Sequence, residues 1–286
     1  MSNISQRSEI LFLYDVTYAN PNGDPNDENK PRIDEETGVN IVTDVRLKRT
    51  VRDYLHDFKN EEIFIREIRD DDGFLQDAKT RALDFLSKDS DLEGKSFKEQ
   101  QQMIKQNILD SCIDARLFGA TIPLELKIAK KSVKGSVTLT GPVQFRMGHS
   151  LHRVSLHFMK GTGAFADSYA PGKGKRQFTF REEYVLPYSL IGFWGVINEN
   201  AGKLTQLSSE DIDRLMDALW NGTKNLISRT KVGQVPRLLL KINYSKPHFF
   251  IGDLDHKVAL ISDKRDEELR NISDLMLDVE SLVKSV

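Results

Sequence analysis

The sequence predicts an α+β fold on the split βαβ, or ferredoxin-like, plan. Two observations carry that expectation. Segments with strand period and helix period follow one another in the core order β, α, β, β, α, β, with insertions. No internal repeat and no clear linker divides them, so the 286 residues read as one elaborated domain, 1–286.

Residues 10–16 (ILFLYDV) are a short apolar run rich in strand formers and read as a buried strand. They run into Asn20-Pro21-Asn22-Gly23-Asp24-Pro25, dense in turn residues, and a polar loop continues to about Asn40. Thr43 or Asp44 then caps a helix over 45–58. Leu47, Val51, Tyr54, Leu55 and Phe58 form its core face, and Lys48, Arg49, Arg52 and His56 a cationic stripe opposite. Arg46 lies off that stripe. Residues 59–72 are acidic and expected at the periphery. Two helices are expected over 76–87 and 97–112, with Cys112 on the apolar side of the second as a core residue. Residues 133–146 alternate as a strand does, and Gly141-Pro142 inside them suggests a bulge or an edge. Residues 150–181 have weak periodicity, several glycines and a cluster of cations, and read as a projecting hairpin or loop. Strand returns at 182–197. A capping box at Ser208 and Asp211 opens a helix to about 227. Strands at 235–242 and 257–261 follow, and the stretch from 272 is helical or mixed.

Charge is distributed unevenly. The chain totals −2, yet residues 126–181 hold eleven Lys or Arg against Asp167 alone. That stretch is therefore +10, and the other 230 residues carry −12. A lysine-rich sheet with acidic neighbours in space would account for this. A surface that meets a polyanion accounts for it better, since a solvated surface mixes signs. The single cysteine excludes an intramolecular disulfide framework and a cysteine-rich zinc site. No apolar run approaches twenty residues, and residues 1–9 lack a signal-peptide core, so no membrane association and a cytoplasmic location are expected.

The sequence carries no Walker, H-E-x-x-H, C-x-x-C or G-x-S-x-G motif. Residues 20–28 do not fit an EF-hand and are expected to form a turn held by side-chain-to-backbone hydrogen bonds. His149, His152 and His157 lack paired carboxylates and read as donors on a cationic surface. No RNP1-type aromatic motif is present, so RNA binding would not use a stacking sheet. No metal and no cofactor is expected. The residues thus point to a ferredoxin-like polyanion binder without evident catalytic machinery.

Several motifs also resemble one family. These are Tyr14-Asp15-Val16 with ANPNGDP at 19–25, NIVTDVRLKR at 40–49 followed by VRDY, DARLFG at 114–119 and LTGPVQF at 139–145. Together they resemble CRISPR-associated backbone subunits of the Cas7 family, nearest the Csh2 branch of subtype I-B, in the RAMP superfamily. The resemblance implies a modified ferredoxin-like or RRM-like core (palm), a helical insertion at 71–112 (finger) and a protruding basic hairpin at 150–181 (thumb). It implies copies stacking along a CRISPR RNA in a Cascade complex, with Cas5, Cas6 and Cas8 as further partners and target DNA met through the guide. Carried onto this chain, the implied RNA-binding residues are Asn20, Asn22 and Gly23 after the first strand, and Arg46, Lys48, Arg49 and Arg52 on the first helix. Arg116, Gln144, Arg146 and His149 follow, then Lys160, Lys173, Lys175 and Arg176 on the hairpin. Phe165, Tyr169 and Phe178 are candidates for its tip. The competing reading is a metal-dependent ribonuclease using Asp24 or Asp27, as in type III relatives.

Overall fold

The computed structural model describes residues 4–86, 95–128, 131–166 and 178–286. β1 (Ser8–Ala19) leads through the short pair β2 (Gly23–Asp24) and β3 (Lys30–Pro31) to β4 (Val39–Val42) and α1 (Asp44–Lys59). Then come α2 (Ala78–Leu83), α3 (Phe97–Ser111), α4 (Ile113–Phe118) and the strands β5 (Gly119–Ile128), β6 (Lys131–Thr140), β7 (Val143–Phe145), β8 (Gly148–Arg153), β9 (His157–Ala166) and β10 (Phe178–Ile197). α5 (Glu199–Thr205), α6 (Ser209–Asp217) and a π-helical turn (Ala218–Gly222) lead to β11 (Val235–Asn243). β12 (Ala259–Ile261), β13 (Met276–Asp278) and α7 (Glu280–Ser285) complete the chain.

The main sheet runs β11-β1-β10-β8-β4, with β7 and β9 also paired to β10. Every pairing in it is antiparallel. β1 is central, with Phe12 opposite Phe193 on one side and Leu239 on the other. Its first nine residues are all buried. That is why the run 10–16 shows no alternation: both faces of the strand are covered. On one face Ile10, Phe12, Tyr14 and Val16 meet Leu47, Val51 and Leu55 of α1 and Ile212 and Leu215 of α6. On the other, Leu11, Leu13 and Leu190 meet Leu254, Val258, Leu269 and Leu282 of the C-terminal stretch. Each such side chain, fully buried, contributes roughly 1.5–3 kcal/mol.

Glu9 fastens that C-terminal cover. Its fully buried carboxylate accepts from the Ile251 N–H (2.9 Å), the Gly252 N–H (3.0 Å), the Trp194 indole and the Tyr244 hydroxyl. The four donors replace the water it lost.

A third core joins α2 and α3 to the β5–β6 hairpin, through Ile104, Ile108 and Leu109 against Ile122, Leu124, Leu126 and Val137. Cys112 is buried there as expected, and burial raises its thiol pKa well above the ordinary value. The helices of the 71–112 block therefore share their core with a hairpin that follows them. The waist between this lobe and the main sheet has no room for side chains. A Cβ on Gly119 (φ +70°) would lie 2.1 Å from the Leu139 carbonyl oxygen, and one on Gly141 2.0 Å from the Phe118 carbonyl carbon.

Several expectations change. The strand expected over 133–146 is two: β6 belongs to the second lobe and β7 to the main sheet, because Pro142 cannot donate to a ladder. β5 is a further strand beyond those expected, with Ile122, Leu124 and Leu126 alternating inward. Residues 59–72 are not wholly peripheral, since Ile63 and Phe64 are buried. The helix expected to 227 is α6 followed by the π-helical turn. Of 150–181, Ser150 to Arg153 belong to β8, whereas β9 and β10 pair from Val185↔His157 to Phe178↔Ala166.

One carboxylate ties three elements together. Asp114 of α4, fully buried, accepts from the Arg52 Nε of α1 (2.9 Å) and from the N–H groups of Phe64 (2.7 Å) and Ile65 (3.1 Å). Asp114→Ala strands the Arg52 charge and two backbone donors. It should cost about 3–5 kcal/mol, read as a fall in the urea midpoint; a loss below about 1 kcal/mol would contradict this role.

His152 predicts a pH dependence. Its Nδ1 donates to the Arg153 carbonyl (2.7 Å) and its Nε2 accepts from the Leu190 N–H (3.2 Å), the neutral tautomer. Burial lowers its pKa below the ordinary histidine value. Below about pH 6.5 the unfolded chain therefore binds a proton that the folded chain resists, and stability falls as pH drops. Wild type should lose more stability between pH 7.5 and 5.5 than His152→Gln; equal losses would remove His152 as the cause.

Candidate nucleic-acid interface

The outer face of α1 floors a groove. Thr43 caps the helix, its Oγ1 accepting from the Arg46 N–H (3.3 Å). The cap is held by Asn22, whose Oδ1 accepts from the Thr43 N–H (2.8 Å) and hydroxyl (2.9 Å). Asn20 is held in turn. Its N–H donates to the Thr230 carbonyl (2.9 Å), its Nδ2 to the Asn29 carbonyl (2.6 Å), and its own carbonyl accepts from Lys231 Nζ. The loop after β1, the start of α1 and the turn at 228–231 thus meet at one place.

Two depressions open on either side of the helix. One, of about 590 Å³, lies toward Gly222, Asn225, Ile227 and Lys231. The other, of about 710 Å³, lies toward Asn22, Ile65, Gln76 and Arg81. Arg46, Arg49, Arg52 and Arg66 line both. Carboxylates are present in both: Asp53, Asp57 and Glu67 line the first depression, and Glu67 and Asp77 the second.

The cations differ in what they already hold. Arg49 is exposed and paired with Asp53 (2.6 Å). Arg52, expected on the outer stripe, is buried and paired with Asp114. Lys48 is held by Asp44 (2.9 Å) and Gln144 Oε1 (3.3 Å), against the ring of Phe118. Arg46, set off the stripe in the sequence, has no hydrogen bond or ion pair through its guanidinium among the described residues. Burial lowers its pKa. Tyr14 lies close beneath it, its phenol pKa raised by burial and opposed by Arg46.

The other sequence-derived residues do not converge here. Arg116 pairs with Asp211 through both Nη2 (2.8 Å) and Nε (3.0 Å) and donates to the Leu109 carbonyl, a tie between α4 and α6. Arg146 is held by Asp253 and Asp255, each at 2.8 Å, over Trp194. His149 is exposed on β8, opposite Ile41. Lys160 is paired with Glu182 across β9 and β10 (2.8 Å). Gly23 pairs with Pro31, its backbone so near Asn29 that a Cβ would meet Oδ1 at 2.1 Å. Lys173, Lys175, Arg176 and Tyr169 lie outside the described residues, as do the side chains of Phe165 and Phe178. The turn at 20–28 is held as expected: Asp24 accepts from the Asn26 N–H (3.0 Å) and from Arg32 (2.6 Å).

Among the described residues, the cations of the +10 stretch do not form one surface. They are spread over the β5–β6 hairpin, the main sheet and the β9–β10 hairpin, and Arg146, Lys160 and Arg181 already face carboxylates. Lys231 is a groove-lining cation absent from the residues that the sequence motifs single out. Burial, and then Arg46, lower its pKa to about 8. A signal for it exists: residues 218–252 hold six Lys or Arg and no acid.

No helix among the described residues is long and apolar enough to cross a membrane. The family model described as CRISPR-associated protein Cas7 matches residues 6–280. A "CRISPR-associated protein Cas7" of Haloferax volcanii is 32% identical over 290 residues, 98% of this chain and 82% of that protein. Among solved structures, a chain of a "CRISPR RNA-guided surveillance complex, pre-nicking" aligns with TM-score 0.48 and 16% identity, over 82% of this chain and 75% of that one. A chain of a second "CRISPR RNA-guided surveillance complex" gives TM-score 0.46 and 12% identity, over 84% and 71%. With the family model spanning nearly the whole sequence, this chain belongs to the Cas7 family of CRISPR-associated proteins.

Proposed function

We propose that the chain is a non-catalytic backbone subunit of a type I-B Cascade complex, in the Csh2 branch, binding CRISPR RNA along α1 and presenting it to target DNA. The observation that carries this reading is a pair of groove cations, Arg46 and Lys231, neither of which is held by an ion pair among the described residues, in a protein of net charge −2. Two partly buried cations side by side disfavour each other's charge, and an anion between them would relieve that cost. Adjacent copies and Cas5, Cas6 and Cas8 are the protein partners of this reading, and its compartment is the cytoplasm.

The strand order supports a ferredoxin-like palm. Taking β1, β8, β10 and β11 as the four strands, with α1 after the first and α6 after the third, the order β11-β1-β10-β8 is that of the split βαβ plan. In this reading the α2–α3 and β5–β6 lobe is the finger and the β9–β10 hairpin the thumb. The covered second face of the sheet favours a phosphate-reading groove over base stacking on strands.

Binding should be sensitive to salt and indifferent to RNA sequence. Arg46→Gln with Arg49→Gln should make the slope of log K against log salt shallower by about 1.4, two contacts at about 0.7 each. Arg116→Ala should lower the melting temperature and leave the slope alone, because its guanidinium is committed to Asp211. Filter binding of several unrelated RNAs over a salt series checks both, and a double variant with the wild-type slope would remove the groove from the reading.

The ribonuclease alternative assigns Asp24 a different task from the one that Arg32 and Asn26 give it here. Incubation with complementary RNA and Mg²⁺ should leave the RNA intact. Cleavage that disappears in Asp24→Ala would replace the scaffold reading by the enzymatic one.

A further inference from the structure

Lys231 is placed unlike any other lysine of the groove. Its ammonium donates to the carbonyls of Asn20 and Pro21 (3.1 Å to the latter), and its backbone N–H to the Ser228 carbonyl (2.9 Å). An ammonium has three N–H donors, so one remains for the groove that Lys231 lines. Among the described residues no carboxylate pairs with it, although Asp53 and Asp57 of α1 and Glu67 line the same depression, as does His56. The Asn20–Asn22 loop contributes only carbonyls and amides. On α1 the group that acts on Lys231 is another cation, Arg46. Behind Arg46 stand the neutral phenol of Tyr14 on β1 and, further along α1, Arg49 and Asp53. Arg229, on the same turn as Lys231, is already paired with Glu183 (2.9 Å).

We propose that Lys231 and Arg46 form a seat for one RNA phosphate, and that filling this seat draws a proton onto Lys231. The inference rests on the RNA-binding reading and adds its pH regulation. In the free protein, burial and the neighbouring guanidinium disfavour the ammonium, and its pKa falls to about 8. A phosphodiester between the two cations supplies the missing negative charge and reverses that preference. No bond is made or broken; one proton moves from solvent to Nζ as the phosphate docks. The sign follows. Below pH 8 the lysine is already charged and affinity is flat. Above it, binding must include proton uptake and affinity declines, by roughly tenfold between pH 7 and pH 9 if the bound lysine returns to its ordinary pKa near 10.4.

The experiment measures the affinity of a short oligoadenylate at constant ionic strength from pH 7 to 9, a range in which adenine does not titrate. Wild type should show the decline. Lys231→Arg keeps the charge at every pH and should hold its affinity within about twofold. Lys231→Met should bind weakly already at pH 7 and show no decline. The inference is overturned if wild type and Lys231→Arg have the same profile, or if Lys231→Met matches wild type at pH 7. Absence of oligoadenylate binding by wild type at every pH would remove the RNA reading and the seat together, an outcome distinct from tight binding with a flat profile.

Discussion

The carboxylate of Asp114 adds a fixed polar tie to stretches of chain that also meet in the apolar core through Val51 and Leu55 of α1, Ile63, and Ile113 and Leu117 of α4. It lies at the base of α4, where it meets the guanidinium of Arg52 on α1 and the backbone of Phe64 and Ile65. The Ile113 N–H donates to the Glu62 carbonyl alongside it, and Arg81 of α2 reaches the carbonyls of Ile63 and Phe64. One wall of the groove, the floor helix and the start of the second lobe thus converge on a single buried charge. Such a charge tolerates little displacement, because each lost donor leaves it without solvent to replace it.

The groove follows from that arrangement by subtraction. Arg52, Arg116 and Arg146 are each bound to carboxylates of the same chain, and their charge is spent on holding elements together. Arg46 and Lys231 form no such pair among the described residues; Asp53, which bears on Arg46, is itself paired with Arg49. Whether a cation is spent inside the chain is a property of its folded surroundings and not of the residue.

This explains what could be read from the sequence and what could not. The central strand, the capped helix after it and the buried cysteine rest on local pattern, and the structure holds all three. Family membership rests on ordered motifs and was equally visible. The ranking of cations along α1 was not. Helical spacing sets Arg52 outside and Arg46 aside, but Asp114 stands 62 positions away from Arg52 and draws it inward. Likewise, a stretch of +10 looks continuous along the chain, yet Pro142 and the Gly119–Gly141 crossing send its parts to different sheets. Lys231 sits in a turn with no periodicity, and only the folded contact with Asn20 and Pro21 gives it meaning.

β10 spans twenty residues and belongs to two structures at once. Its first part pairs with β9 in the hairpin; its second pairs with β1, β7 and β8 in the main sheet. The hairpin is therefore a continuation of a central strand and not an appendage on a loop. A pull on its outer end runs along the strand axis into the sheet, where the ladder bonds to β1 resist in shear, many at a time. A sideways push beyond the braces at its base, where Tyr184 donates to Glu28 and Glu183 pairs with Arg229, meets a single ribbon of two strands. The hairpin is accordingly stiff to tension and compliant to bending, a mechanical anisotropy set by one unbroken strand.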